Sequence, residues 1–400
     1  MNDFTPVTLK RRYARSDSRV LSMMVFIDAL GWEVLKDRKF MEAELPYRRK
    51  LKSVFGFSSA CVPSILTGRS PRDHGHWSYF YYSPKTSPFK ALNLLRALPK
   101  SLSDRGRVRH WLSRLLAKAY GFTGYFQIYN MPLKFAGLFD YCEKHDIFKP
   151  GGMNHGDNIF DVLKENAVPY HVSDWHNSEE DNLKACRDEI EQGEIRFAFL
   201  YMASMDGLLH QVGKESSKVD EKITWYEGEM KQILDVAQEH YDEVRVHICS
   251  DHGMATVNET IDLMKTIESL PLEYGKDYVA VYDSTMARFW FHNDTARSVI
   301  CKALDEEGLG RILSDDELTE LGCDFDNQKF GETIFLVDPG VIIVPSHMGL
   351  KPITGMHGYH PDHPDSDAAL LSNVAPIGNV DAITDLFDLM KVESGIRTTQ

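Results

Sequence analysis

The chain has 400 residues, enough for one large α/β domain with insertions or for two domains. Hydrophobic residues make up 43% and charged residues 26%, close to globular averages, so the composition speaks against wholesale disorder and against a membrane-embedded protein. Forty-five Lys and Arg stand against 59 Asp and Glu, a formal net charge of -14; this weakens any case for a nucleic-acid polymer as partner and means that a phosphate-handling site needs local positive charge, which metal ions can supply.

The chain begins with a basic stretch at Lys10, Arg11 and Arg12, with no long apolar run behind it. The run from Val20 to Leu30 is broken by Asp28, too short and too polar for a signal core or a spanning helix, so a cytoplasmic location is the expectation. The six cysteines (61, 142, 186, 249, 301, 323) form no CxxC pair and read as reduced thiols. Val20 to Asp28 reads as a strand ending on a carboxylate. Gly56 to Gly68 reads as a loop and helix with Ser58 at the start, where free backbone N–H groups and the helix dipole favour a phosphate and a serine alkoxide; the simpler reading of Ser58 is an N-cap. His74 and His76 read as structural hydrogen-bonding groups in the loop that follows.

Residues 76–150 turn aromatic, basic and punctuated by proline, which predicts a cap insertion rather than sheet; its run Trp77 to Tyr82 either lines a pocket or fills the cap core. Within it, Arg105 to Tyr120 places Val108, Trp111, Leu112, Leu115 and Ala119 on one helical face and Arg107, Arg109, Arg114 and Lys118 elsewhere. The expectation is a cap helix packing its apolar side on the core; the alternative is peripheral contact with an anionic membrane, or with a lipid-linked phosphate, through 105–120.

Further along, apolar runs at Tyr170 to Asp174, Arg196 to Met202, Val244 to Ser250 and Glu332 to Val337 alternate with helical patterns near 157–166, 179–191 and 217–240, the mark of a mostly parallel sheet flanked by helices. Tyr278 to His292 alternates like strands and leads into a helix near 294–306. The predicted organisation is a catalytic core from 1–75 and 151–400, the cap at 76–150, and a small α+β subdomain at about 275–330 within the core. In such sheets ligands gather at the carboxyl ends of strands. Asp28, Asp206 and Asp251 all fall there. Asp206 and His210, four apart, share one helical face; Asp251 and His252 follow the most apolar strand, with Gly253 allowing a sharp turn; His357 lies between Met356 and Gly358 in a late loop. His360 and His363 read as loop residues or supporting partners rather than a third metal site.

Taken together and in order, these elements resemble the alkaline phosphatase superfamily, and within it the type I phosphodiesterase and nucleotide pyrophosphatase family. The resemblance runs from about 20 to 365: strand-Asp28, Ser58 nine residues before Thr67-Gly68, Asp206-x-x-x-His210, Ser250-Asp251-His252-Gly253-Met254 and His357-Gly358-Tyr359. It implies an alkaline phosphatase-like fold and two divalent metal ions, with Zn2+ expected from the mixed His and Asp ligands and Mn2+ as the alternative. Asp206, His210 and His357 would hold one ion; Asp28, Asp251 and His252 would hold the other, joined by Ser58. The implied reaction is cleavage of a phosphodiester or pyrophosphate bond in a small phosphate ester through a phosphoserine intermediate. Where the family often has an Asn three residues after its nucleophile, this chain has Cys61, which leaves oxyanion support to the Ser59 N–H and the metals. The sulfatase pattern Cys/Ser-x-Pro-x-Arg lacks its Arg at Ile65. A phosphomonoesterase or phosphomutase on the same site, or a metal-bound binding protein without turnover, are the alternative readings.

Overall fold

The computed structural model describes residues 9–10, 19–97, 106–376 and 378–396. Its main sheet runs in the order Tyr47–Leu51, Ala368–Ser372, Glu243–Cys249, Val20–Ile27, Phe197–Met202, Tyr170–Val172, with Leu9–Lys10 added on Glu243–Cys249. The last four strands of that order are mutually parallel, whereas Ala368–Ser372 is antiparallel to both its neighbours. The central strand Val20–Ile27 is apolar on both sides because both are covered. Leu21, Met23, Val25 and Ile27 face the core beneath the helices Glu179–Gln192 and Ser217–His240. Met24 and Phe26 face the core formed with Ser58–Thr67, Ile159–Glu165 and Leu386–Glu393.

The strand expected at Glu332 to Val337 exists as Thr333–Val337 but belongs to a second, antiparallel sheet ordered Tyr278–Tyr282, Met286–Phe291, Thr333–Val337, Gly310–Ile312. That sheet therefore reaches past residue 330. Its apolar run TIFLV is buried along its whole length, the same pattern a strand of the main sheet would show.

The stretch 76–150 contains one element that the cap reading left out, an antiparallel ribbon of Phe80–Tyr82 with Phe139–Tyr141. Phe80, Phe89, Phe126, Phe139 and Tyr141 pack in one cluster with Val279, Val281 and Trp290 of the second sheet. Arg288, fully buried, joins the two: its guanidinium bonds Asp283 at 2.9 Å, the Ser78 hydroxyl at 2.9 Å and the Phe80 carbonyl at 2.9 Å. The run Trp77 to Tyr82 divides its labour, with Trp77 and Phe80 in the core and Tyr79 on a cavity wall.

The helix expected within 105–120 spans Gly106–Tyr120, Arg105 lying outside the described residues. The apolar side expected to pack on the core does so only in part, Leu112 resting on the cluster that holds Leu116. Arg109, Ser113 and Leu116 are buried, whereas Trp111 is 64% and Leu115 48% exposed. Arg109 turns inward because its guanidinium satisfies the carbonyls of Tyr129 and Met131, at 2.7 and 2.8 Å, in a segment without ladder partners.

Candidate active site

Three adjacent parallel strands end together, and each delivers a carboxylate. Asp28 follows Val20–Ile27 and is tied to its neighbour by its N–H to the Met202 carbonyl, 2.9 Å. After Phe197–Met202 the chain turns into the helix Ser204–Val212, which carries Asp206 and His210 one turn apart. Asp251 and His252 follow Glu243–Cys249, and His357 follows the short strand Gly355–Met356, which pairs with Ala255–Thr256.

Two glycines make these approaches possible. Gly253 has no left-handed φ, so it is not there for a sharp turn: a Cβ on it would lie 2.5 Å from the Asp365 carbonyl. Gly358 does need its left-handed φ of 87°, and a Cβ there would lie 2.5 Å from the Phe57 ring. The His357 loop is thereby seated on the residue that precedes the Ser58 helix.

The ligand atoms of Asp206, His210 and His357 lie within 4.8 Å of one another, as do those of Asp28, Asp251 and His252. Asp28 accepts from the Tyr201 hydroxyl at 3.1 Å on Oδ2, leaving Oδ1 buried without a hydrogen bond. Asp251 accepts the Ala29 and His252 N–H groups on Oδ1, and its Oδ2 is likewise buried and unbonded. Asp206 Oδ1 has no hydrogen bond either, and sits 3.3 Å from His210 Nε2 and 3.4 Å from His357 Nε2. His210 Nδ1 donates to the Gly355 carbonyl at 2.8 Å and His252 Nδ1 to that of Gly253 at 2.9 Å, which turns both Nε2 atoms toward the carboxylates. Orphaned carboxylate oxygens facing oriented imidazole nitrogens fit divalent cations held by mixed oxygen and nitrogen ligands.

The electrostatics agree with that fit. Burial, then the charges of Asp251 and Asp206, raise the Asp28 carboxyl well above the carboxylate range. Burial works to lower His252, yet Asp251, Asp28 and Asp206 outweigh it and hold the imidazole up to about 10. Asp206 is lowered against its burial by His210, His357 and His252. His357 is lowered by burial and by His252, whose ring stacks on it at 3.7 Å. The site draws positive charge.

Ser58 is the first residue of the helix Ser58–Thr67, and its Oγ lies 3.1 Å from His252 Nε2. It is not the N-cap. That position is Phe57, which offers the helix no side-chain acceptor, while the Ser59 hydroxyl is turned away to the Trp77 carbonyl at 2.8 Å. The first-turn N–H groups thus keep their pull on an anion beside Ser58. Cys61 is fully buried against Ser53 and Val54. His74 bonds the Ser64 hydroxyl at 2.9 Å and supports the helix. His360 lies 3.2 Å from Glu317, away from both clusters.

In front of these residues opens a cavity of about 520 Å³ with an aromatic lining of Tyr79, Tyr125, Tyr129, Phe148, Trp175 and Tyr201. Glu143 also lines it. None of this wall except Tyr79 was singled out from the sequence, because Tyr125, Tyr129, Phe148 and Trp175 sit in irregular chain without a period; Tyr201, the one hydroxyl in the apolar strand FAFLYM just before Asp206, was the available signal. Among the described residues no Lys or Arg lines the cavity.

Burial pushes the Glu143 carboxyl up to about 8, with the Tyr125 N–H countering only in part. Its folded pKa exceeds its unfolded one, so its contribution to stability is complete below about pH 4.5, falls as pH rises, and is lost by about pH 8. Glu143→Gln, which never ionises, is therefore expected to gain stability over the parent between pH 5 and 8, by on the order of a few kcal/mol. Urea midpoints across that range measure it, and a pH-independent difference would contradict the burial of this carboxyl.

A family model described as Type I phosphodiesterase / nucleotide pyrophosphatase matches residues 23–360. Among solved structures, the chain is similar to human ectonucleotide pyrophosphatase/phosphodiesterase 5, with a TM-score of 0.67 at 14% identity over 95% of this chain and 96% of the other. The murine protein of that name gives the same values. An inactive variant of the murine protein in complex with AMP gives a TM-score of 0.66 at 14% identity over 96% of each chain. At that identity the likeness concerns the fold. No curated protein matches the sequence.

Proposed function

Because the chain belongs to the type I phosphodiesterase/nucleotide pyrophosphatase family, we propose that it hydrolyses a phosphodiester or pyrophosphate bond in a small substrate, with Ser58 as the nucleophile. The observation that carries this reading is the position of the Ser58 hydroxyl between the free N-terminal turn of its helix and the cluster of Asp28, Asp251 and His252. Asp206, His210 and His357 would hold one divalent cation; Asp28, Asp251 and His252, with Ser58, would hold a second. Zn2+ suits the donor set best, and Mn2+ is the alternative. Bound there, the cations supply Lewis-acid charge that favours the serine alkoxide and offsets the phosphoryl oxygens.

The protein's own groups do the rest. Ser58 Oγ displaces the leaving oxygen from phosphorus while the hydroxyl proton passes to water, giving a phosphoserine that keeps the substrate's other substituent; water then breaks the phosphorus–Ser58 bond, releasing that substituted phosphate and restoring the hydroxyl. The Ser59 N–H at the helix start stabilises the developing oxyanion. The orientation of His210 and His252 by backbone carbonyls keeps both rings from turning during the cycle.

A diester carries one negative charge where a monoester carries two, and a cavity lined by no Lys or Arg among the described residues suits the former. With aryl phosphates as paired substrates, the metal-replete protein is expected to prefer the diester in kcat/KM by about tenfold or more. A preference for the monoester would favour the monoesterase or phosphomutase reading. Failure to turn over any ester in a broad panel would favour a binding protein on this fold.

A further inference from the structure

We propose that the outward face of the helix Gly106–Tyr120 docks on an anionic lipid bilayer, with Trp111 and Leu115 entering the headgroup region and Arg107, Arg114 and Lys118 meeting lipid phosphates. A helix on a water-facing surface buries its apolar stripe and shows its charges. Here Leu112 and Leu116 pack inward together with the cationic Arg109 and the small Ser113, while Trp111 and Leu115 point out, 64% and 48% exposed, between exposed Arg107, Arg114 and Lys118. An apolar ridge flanked by cations matches an interfacial helix, whose apolar residues enter the acyl boundary while long basic side chains reach the phosphates. Trp is the side chain that such interfaces favour.

Charge complementarity selects an anionic bilayer over other occupants. The helix contains no Asp or Glu. Residues 76–150 hold twelve Lys and Arg against four Asp and Glu, in a chain whose net charge is -14. A net positive balance thus coincides, among the described residues, with the exposed Trp111 and Leu115, whereas the rest of the chain is net acidic and would be repelled. Among the described residues no helix is long and apolar enough to cross a membrane, so the contact is peripheral.

The helix is also fastened to the cavity. Beyond the Arg109 bonds to Tyr129 and Met131, the Ser113 hydroxyl accepts the Ile128 N–H at 3.0 Å, and Tyr125 and Tyr129 of this segment stand in the cavity wall. Asn130 donates to the His347 carbonyl at 2.7 Å, in the loop that carries cavity-lining Met348 and the 56% exposed Leu350. A bilayer that seats the helix therefore bears on the frame of the tyrosine wall.

Flotation of the full chain with vesicles tests this without reference to turnover. Binding is expected to phosphatidylcholine vesicles containing about 30 mol% phosphatidylserine and not to pure phosphatidylcholine, with loss at about 0.5 M NaCl. The pair Trp111→Ala and Leu115→Ala is expected to weaken partitioning about tenfold. The pair Arg114→Glu and Lys118→Glu should weaken it roughly thirtyfold or more. All four side chains are exposed, so melting temperature and activity on a soluble ester should stay at parental values, and Ser58→Ala should bind like the parent. Absence of binding to anionic vesicles overturns the proposal. So does concentration-dependent dimerisation abolished by the Trp111 and Leu115 substitutions, which would give this face to a second copy of the chain.

Discussion

Ser58→Ala is expected to lower kcat for a phosphodiester by about three orders of magnitude or more, with the melting temperature unchanged within about 1 °C. The two halves of this result have separate causes. The hydroxyl touches His252, whose Nε2 lies 3.8 Å from Asp28 Oδ1 and 3.1 Å from Asp251 Oδ2, and on the proposed reading its removal takes away the atom that attacks phosphorus. It caps nothing, since Phe57 holds the N-cap position, so the helix keeps its bonds. Ser59→Ala is the matched control: it removes a bond to the Trp77 carbonyl while leaving the backbone N–H in place, and should keep most of the activity. Full activity in Ser58→Ala would remove Ser58 from the mechanism.

Asp28→Asn is expected to cost on the order of a thousandfold in kcat/KM, and to invert its effect on stability with metal content. Asp28 is buried close to Asp251 and Asp206, a like-charge arrangement that is unfavourable until cations offset it. After chelation, the neutral Asn should leave the protein at least as stable as the parent. With Zn2+ or Mn2+ in thousandfold excess over the dissociation constants of both sites the parent should gain about 8 kcal/mol, about 4 from each, and the variant only about half of that total. Thermal melts of both proteins before and after metal addition make the measurement. Equal gains in the two would show that Asp28 holds no metal.

The three strand-end carboxylates were legible because a charged residue interrupts an apolar run where the sheet ends. VLSMMVFI stops at Asp28 and EVRVHIC is followed by Ser250 and Asp251. The pairing of Asp206 with His210 was legible because helical geometry makes neighbours of residues four apart. Sheet membership was not. Tyr47–Leu51 reads YRRKL, an edge strand too polar to announce itself, and Ala368–Ser372 finds its partners far back in the chain. The period of the 106–120 helix placed Trp111, Leu112 and Leu115 on one face and Arg109 with the other cations, whereas the inward side holds Leu112, Leu116 and Arg109; Arg109 was drawn in by two carbonyls, at Tyr129 and Met131, that needed donors. The cavity wall at Tyr125, Tyr129 and Glu143 has no period, so only tertiary packing brings it together.

The insertion of Ala368–Ser372 between Tyr47–Leu51 and Glu243–Cys249 bears on how the molecule is made. During synthesis from the N-terminus, the Ser58 helix and five of the six ligand candidates leave the ribosome before His357, and the strand that joins the two parts of the sheet leaves later still. Until then Tyr47–Leu51 has no strand beside it, and Glu243–Cys249 shows an open edge, the kind of surface on which nascent chains aggregate. An interrupted product would carry the serine but neither the complete ligand set nor a closed sheet. With the proposed site, hydrolytic competence would thus be tied to synthesis past Ser372, and a copy interrupted earlier would be unable to act on phosphate esters.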